Sequence, residues 1–264
     1  MPMTVLKVNN LSKSFGGIEA LKNISLEVQK SEIVGLIGQN GAGKTTFFNL
    51  LTGIYTPTSG EIEYNLDRRI TSRDLKPHKI AGYGISRTFQ NIRLFQNMSV
   101  TENVLLGYHS KFIYGLASSL FKLPSHHRSE NEYYDKSINL IKEFNLLDKK
   151  NIPAKNLSYG EQRRLEIARA LASNPKILLL DEPAAGMNPN ETKELTSLIR
   201  WIRDTFNLTI ILIEHDMSLV MKVCERIFVF DSGTLIAEGS PDEIIKNQRV
   251  IKAYLGREAQ YARA

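Results

Sequence analysis

The chain has 264 residues, of which 42% are apolar and 23% charged, so it can fill a sizeable core and is not a disordered composition. Its +6 net charge is spread along the chain; it suits an anionic ligand or an anionic membrane surface and does not require nucleic acid, so no nucleic-acid partner is expected. One cysteine, Cys224, excludes an internal disulfide and suits a reducing cytosol; its setting in "LVMKVCERIFVF" reads as packing rather than as a nucleophile.

In chain order, "MPMTVLKVNN" carries no signal-peptide core, and "TVLKVNNLSKSF" and "LKNISLEVQKSE" alternate as half-exposed strands do. "EIVGLIG" is a short apolar strand that runs into the glycine loop "GQNGAGKTT", and "KTTFFNLLTGIY" has a helical apolar pattern. "TPTSGEIEYN" is a turn and a strand. The middle, about 91–156, has few strand signals and several helical ones. Within it "DKSINLIKEFNLL" places Ile138, Ile141, Phe144 and Leu147 on one helical stripe. "KFIYGLASSLFKL" groups Phe112, Ile113, Leu116, Leu120 and Phe121, a face that packs on its own subdomain or docks on a membrane partner. "KILLLDEP", "LTIILIEHD" and "RIFVFDSG" are buried-type strands with helices between them. Alternating strands and helices predict a parallel sheet covered on both faces. The longest apolar runs are too short to cross a bilayer, so any membrane link goes through a partner or a surface.

Gly38 to Thr45 fits G-x-x-x-x-G-K-[ST] between a strand and a helix. Gly38, Gln39, Asn40, Gly41, Ala42 and Gly43 form a loop whose backbone N–H groups can wrap a phosphate. Lys44 reaches the outer phosphate oxygens, and Thr45, followed by Thr46 at the helix start, can ligate Mg²⁺. "KILLLDEP" brings Asp181 and Glu182 to the carboxyl end of a strand, where ligands of open α/β sheets sit. Asp181 is placed to hold Mg²⁺ and Glu182 to polarise an attacking water. Together they specify ATP or GTP, Mg²⁺ and phosphoryl transfer to water.

With "LSYGEQRRLEIARAL" between these motifs, the chain resembles an ABC-transporter ATP-binding subunit over nearly its whole length; "LSYGE" stands where that family has L-S-G-G-Q. The resemblance implies a P-loop NTPase α/β core with an N-terminal antiparallel β subdomain and an inserted helical subdomain. It implies one ABC ATPase domain over 1–264, with 1–90 and 157–264 as core and 91–156 as helical subdomain. It also implies that Gln90 contacts Mg²⁺ and water, His215 reaches the γ-phosphate, Phe15 stacks on adenine, and Ser158 and Gly160 bind the nucleotide held by a second subunit. Two departures stand out. Asn188 occupies the position of a usual Asp in "AAGMNP", and in the signature Tyr159 and Glu161 replace Gly and Gln. Tyr159 is expected to turn aside from the phosphate and Glu161 to point away from it.

"RTFQNIRLFQNMSVTENVLLGYH", "DEPAAGMNPNET" and the closing "IKAYLGRE" resemble the importer ATPases for branched-chain amino acids. The insertion at 109–136 resembles the longer of that group's two ATP-binding subunits, the LivG type. The ATPases of lipopolysaccharide export and of urea import share much of this pattern. The resemblance implies a homodimer or a heterodimer with a second ABC ATPase, attached to integral membrane permease subunits at the cytoplasmic face of the inner membrane. A periplasmic or extracellular substrate-binding protein is an indirect partner. A soluble ABC protein of translation or DNA repair and a P-loop switch that rarely hydrolyses nucleotide are the other classes. The first is disfavoured by the short insertion and single ATPase unit, the second by Glu182 and His215.

Overall fold

The computed structural model describes residues 3–108 and 124–253, with side chains excluded for 124–130. The face at Phe112–Phe121 and most of the closing "IKAYLGRE" lie outside the described residues.

Two sheets organise the molecule. Strands β1 (Thr4–Phe15), β2 (Ile18–Gln29), β4 (Ser59–Asn65) and β5 (Arg69–Thr71) form an antiparallel sheet in the order β2-β1-β4-β5. Strands β3 (Ile33–Gly38), β6 (Ile85–Arg87), β7 (Ile177–Asp181), β8 (Thr209–Ile213), β9 (Arg226–Asp231) and β10 (Thr234–Gly239) form the second sheet. Its order is β10-β9-β3-β8-β7-β6, with only β10 antiparallel.

Every residue of β3, β7 and β8 is buried, which is why these strands read as continuous apolar runs rather than as alternations. Successive side chains still go to opposite faces. Ile37, Leu178, Leu180, Ile210 and Leu212 enter one core. Leu36, Ile177, Leu179, Ile211 and Ile213 enter the other, with Phe47 and Phe48 of α1 (Lys44–Leu51). Each such buried side chain contributes about 1.5–3 kcal/mol. Because β3, β7 and β8 run parallel, their carboxyl ends form one edge, bearing Gly38, Asp181 and Ile213.

The helical layer comprises α2 (Val100–Gly107), α3 (Pro124–Glu143) and α4 (Tyr159–Ala172), and α2 packs on both others. The chain then alternates α5 (Pro189–Phe206), α6 (Met217–Val223) and α7 (Pro241–Lys246) with the strands. The expected stripe over Ile138–Leu147 is shorter than its periodicity suggests. Helix α3 stops at Glu143 because Asn145 takes φ 55°, a left-handed conformation that ends the helix. Phe144 still reaches the core, beside Leu140 and Ile141, but Leu147 lies in the next turn and is 38% exposed. Cys224 is buried, and burial pushes its thiol up to about 12.

Candidate functional site

The phosphate loop joins β3 to α1. A Cβ on Gly38 would lie 2.4 Å from the Phe230 carbonyl oxygen, and Gly43 takes φ 102° beside the Ala20 carbonyl, so neither position accepts a side chain. Helix α1 opens on Gly43 with no side-chain cap. By contrast α2, α4, α5 and α6 open on Ser99, Ser158, Asn188 and Asp216, each of which accepts from its own first turn. The α1 start therefore keeps its positive end and orphan N–H groups for an anion. Gln39 is half-buried, and Asn40, Gly41 and Thr45 are exposed at the loop rim. Ala42 and Lys44 are buried, and Thr46 is half-buried. The Lys44 ammonium donates to the carbonyls of Gly38 (2.7 Å) and Gln39 (3.0 Å). Burial pushes its pKa down, while Glu182 and Asp181 pull it up.

Asp181 ends β7 with its carboxylate buried against Arg87 Nη2 at 2.7 Å, and Arg87 Nη1 donates to Asn49 Oδ1 at 2.8 Å. Glu182 follows at φ 46°, a strained value for a residue with a Cβ. Its N–H donates to Ile213 of β8, which fixes the turn. Both carboxylate oxygens are engaged: Gln90 Nε2 donates to Oε2 at 2.6 Å, and His215 Nε2 meets Oε1 at 2.7 Å. An ionised carboxylate only accepts, so as a hydrogen bond this contact requires the Nε2–H tautomer of His215. Gln90, Glu182 and His215, far apart in the chain, thus meet at one sheet edge. Glu214 holds the two strand ends together by accepting from the N–H groups of Ala184 (2.6 Å), His215 (2.9 Å) and Asp216 (3.3 Å). Burial raises its pKa despite these bonds.

Phe15 ends β1 40% exposed, edge-on to Tyr55 at 5.0 Å, with Lys13 Nζ 4.9 Å from its ring centre. Ser158 caps α4, and its hydroxyl accepts from Glu161 N while Glu161 Oε2 accepts from Ser158 N. Lys149 Nζ holds the other Glu161 oxygen at 2.5 Å. Burial would raise the Glu161 carboxyl, but the bonds from Lys149 and Ser158 outweigh it and hold it below the usual range. Ser158 and buried Gly160 line an open cleft of 1080 Å³ with Met187 and Glu191, a cleft to which no residue of the 38–46 loop contributes. Asn188 caps α5 by accepting from the N–H groups of Asn190 and Glu191, a task that an amide oxygen performs without charge.

Sequence reasoning missed four charged residues. Arg87 and Glu214 are described above. Arg163 and Glu166, wholly buried in α4, pair at 2.8 Å. Arg163 donates to the carbonyls of Phe89 (2.8 Å) and Gln90 (2.9 Å), and Glu166 accepts from Arg93 N. In "GEQRRLEIARAL" they look like the ion pairs of a solvated helix face. The only signal is that Arg163 lies four residues before the buried Ile167, on the same helical face.

A glycine cradle at a bare helix start, and an Asp-Glu strand end bridged to a distant Gln and His, define a nucleotide-hydrolysing site. Residues 21–185 match the ABC transporter family, and 234–260 match the branched-chain amino acid ATP-binding cassette transporter family. The chain is 50% identical over 256 residues to the high-affinity branched-chain amino acid transport ATP-binding protein LivG of Escherichia coli K12, covering 97% of this chain and 99% of that one. It is 35% identical over the same span to the lipopolysaccharide export system ATP-binding protein LptB of that organism. Among solved structures, the ADP conformation of MJ1267, an ATP-binding cassette of an ABC transporter, superposes with a TM-score of 0.82 at 30% identity, covering 96% of this chain and 99% of that one. The chain belongs to the ABC transporter ATP-binding family, and it is an ATPase with the P-loop ABC fold. Among the described residues no helix is long and apolar enough to cross a membrane.

Proposed function

We propose that the chain hydrolyses ATP at a site completed by a second ABC ATPase, and so drives a permease that imports branched-chain amino acids. The observation that carries the shared site is the separation of its two halves: Ser158 and Gly160 open on a cleft that the phosphate loop does not line. Each ATP lies between residues 38–46 of one subunit and Ser158–Gly160 of the other, with Phe15 stacked on adenine. The second ATPase is a second copy or a paralogue. The chain works as one unit, 1–90 and 157–264 as core and 91–156 as helical subdomain, with α4 attached to the latter.

Glu182 is the general base: its carboxylate, oriented by Gln90 and His215, takes a proton from the attacking water. His215 then senses the γ-phosphate, and Lys44 leaves its loop carbonyls for the phosphate oxygens. Thr45, Asp181 and the amide oxygen of Gln90 are hard oxygen donors that suit Mg²⁺; when bound, the ion neutralises phosphate charge. The permease docks at the cytoplasmic face in a cleft of 530 Å³ lined by Ile54, Phe89, Phe95, Arg93 and Arg169, whose exposed Phe95 offers an apolar anchor. A periplasmic or extracellular binding protein delivers the amino acid to the permease.

Import of branched-chain amino acids is supported by the greater likeness to LivG than to LptB and by the match at 234–260. Uptake of radiolabelled leucine by cells carrying only Glu182→Gln is the test. Uptake falls to background if the reading holds; normal leucine uptake overturns it.

A further inference from the structure

Around the start of α4 the hydrogen bonds close into a ring. The Gln90 side chain donates to the Glu182 carboxylate at 2.6 Å. The Ala185 N–H donates to the Glu182 carbonyl at 3.1 Å. The Tyr159 hydroxyl donates to the Ala185 carbonyl at 2.7 Å, and its oxygen accepts from Arg163 Nη2 at 3.4 Å. Arg163 Nη2 returns to the Gln90 carbonyl at 2.9 Å. The ring passes through the loop after β6, the loop after β7 and the first turns of α4. Ser158, adjacent to Tyr159, is the cap of that same helix.

The ring is anchored at Arg163, while Tyr159 is 41% exposed. Arg163 is fully buried and Glu166 is 1% exposed, so neither can exchange its partners for water without exposing a charge to an apolar core. The guanidinium fork bonds two successive carbonyls and one carboxylate at once, which a lysine ammonium cannot match in geometry. The Tyr159 ring lies against Gly186, where an added Cβ would sit 3.7 Å from three of its atoms. A shift of the α4 start is therefore passed to the Gln90 backbone through Arg163 and to the turn after Glu182 through Tyr159.

We propose that Tyr159 and Arg163 are positioning residues that make one ATP site sense the other. Nucleotide gripped by Ser158 at the partner's site sets the start of α4, and α4 sets the Gln90–Glu182 pair at the chain's own site. The inference rests on the shared-site reading above. It assigns Tyr159, which departs from the family signature, a task that a glycine lacks the atoms to perform.

The test is the ATP dependence of hydrolysis by the assembled transporter, purified on a tag carried by this chain. The wild type gives a sigmoidal curve. Tyr159→Phe keeps the aromatic side chain but opens the hydrogen-bond ring by removing its hydroxyl; it brings the Hill coefficient toward 1 and lowers kcat by about 2- to 10-fold, the range for one lost hydrogen bond. Nucleotide binding by the isolated chain is unchanged, because the lost bond runs to Ala185 and touches neither the 38–46 loop nor Phe15. Arg163→Lys brings the same loss of sigmoidicity, and if that variant does not fold, Tyr159→Phe decides alone. A Tyr159→Phe curve as sigmoidal as the wild type overturns the inference, and so does a hyperbolic wild-type curve. Failure of the shared site is distinguishable, because Ser158→Arg would then leave hydrolysis intact.

Discussion

Two helix starts frame the candidate site, and they differ in how much of their hydrogen bonding is already committed. Helix α1 opens on Gly43 with no capping side chain, at the edge where Asp181, Glu182 and His215 emerge. Helix α4 opens on Ser158 inside a closed capping box, with Glu161 further tied to Lys149. The first start has no capping side chain among the described residues, so its positive end can hold phosphate in the monomer. The second has its cap N–H and its Glu161 N–H answered within the chain, and it offers a hydroxyl and a small residue, Gly160, to a neighbour. Anion binding by the monomer is therefore expected at the uncapped α1 start rather than at the capped α4 start.

Four substitutions separate the two helix starts experimentally. The largest effect is expected on the α1 side. Glu182→Gln should lower turnover by about 10²- to 10⁴-fold, the usual contribution of a general base, while ATP binding by equilibrium dialysis is retained; near-normal hydrolysis would remove Glu182 from its role. On the α4 side the expected losses are of stability. Glu166→Ala leaves Arg163 buried without its carboxylate and should cost about 3–5 kcal/mol in urea unfolding; a loss under about 1 kcal/mol would mean that the pair is not the anchor of that helix.

Phe15→Ala should weaken ATP binding by about 10-fold, as expected for one stacked base. Unchanged affinity would assign Phe15 to packing with Tyr55 alone. Smallest is Glu161→Ala, which opens the capping box at a cost of about 0.5–1.5 kcal/mol. Because the folded-state carboxyl lies below its ordinary value of 4.5, this contribution is present above that pH and is lost as pH falls through the lower folded value. Thermal melts of both proteins from pH 7 down to pH 3 should therefore converge, and a constant gap would show that the ionised carboxylate is not what stabilises the cap.

The parts legible in the sequence are those where chemistry demands a fixed residue type at a fixed spacing. The loop at Gly38–Thr46 and the strand end at Asp181–Glu182 carry their meaning locally. Gln90 and His215 could be named only through family resemblance, and their bonds to Glu182 depend on sheet order, which no local pattern encodes. Arg163 and Glu166 were illegible for a physical reason: a buried ion pair and a solvated one have the same spacing on a helix. The reach of Tyr159 to Ala185 was hidden too, since it depends on how the turn after β7 meets α4. Leu147 shows the opposite error, in which helical periodicity continued past a turn that Asn145 had already made.

The central claim is that the α4 half of the site serves a nucleotide held by another subunit. Ser158→Arg tests it most directly, with nucleotide binding by the isolated chain and hydrolysis by the assembled pair measured on the same preparation. Unchanged binding by the monomer and hydrolysis reduced to background are expected; a collapse of monomer binding, or hydrolysis at the wild-type rate, would rule out a site shared between two subunits.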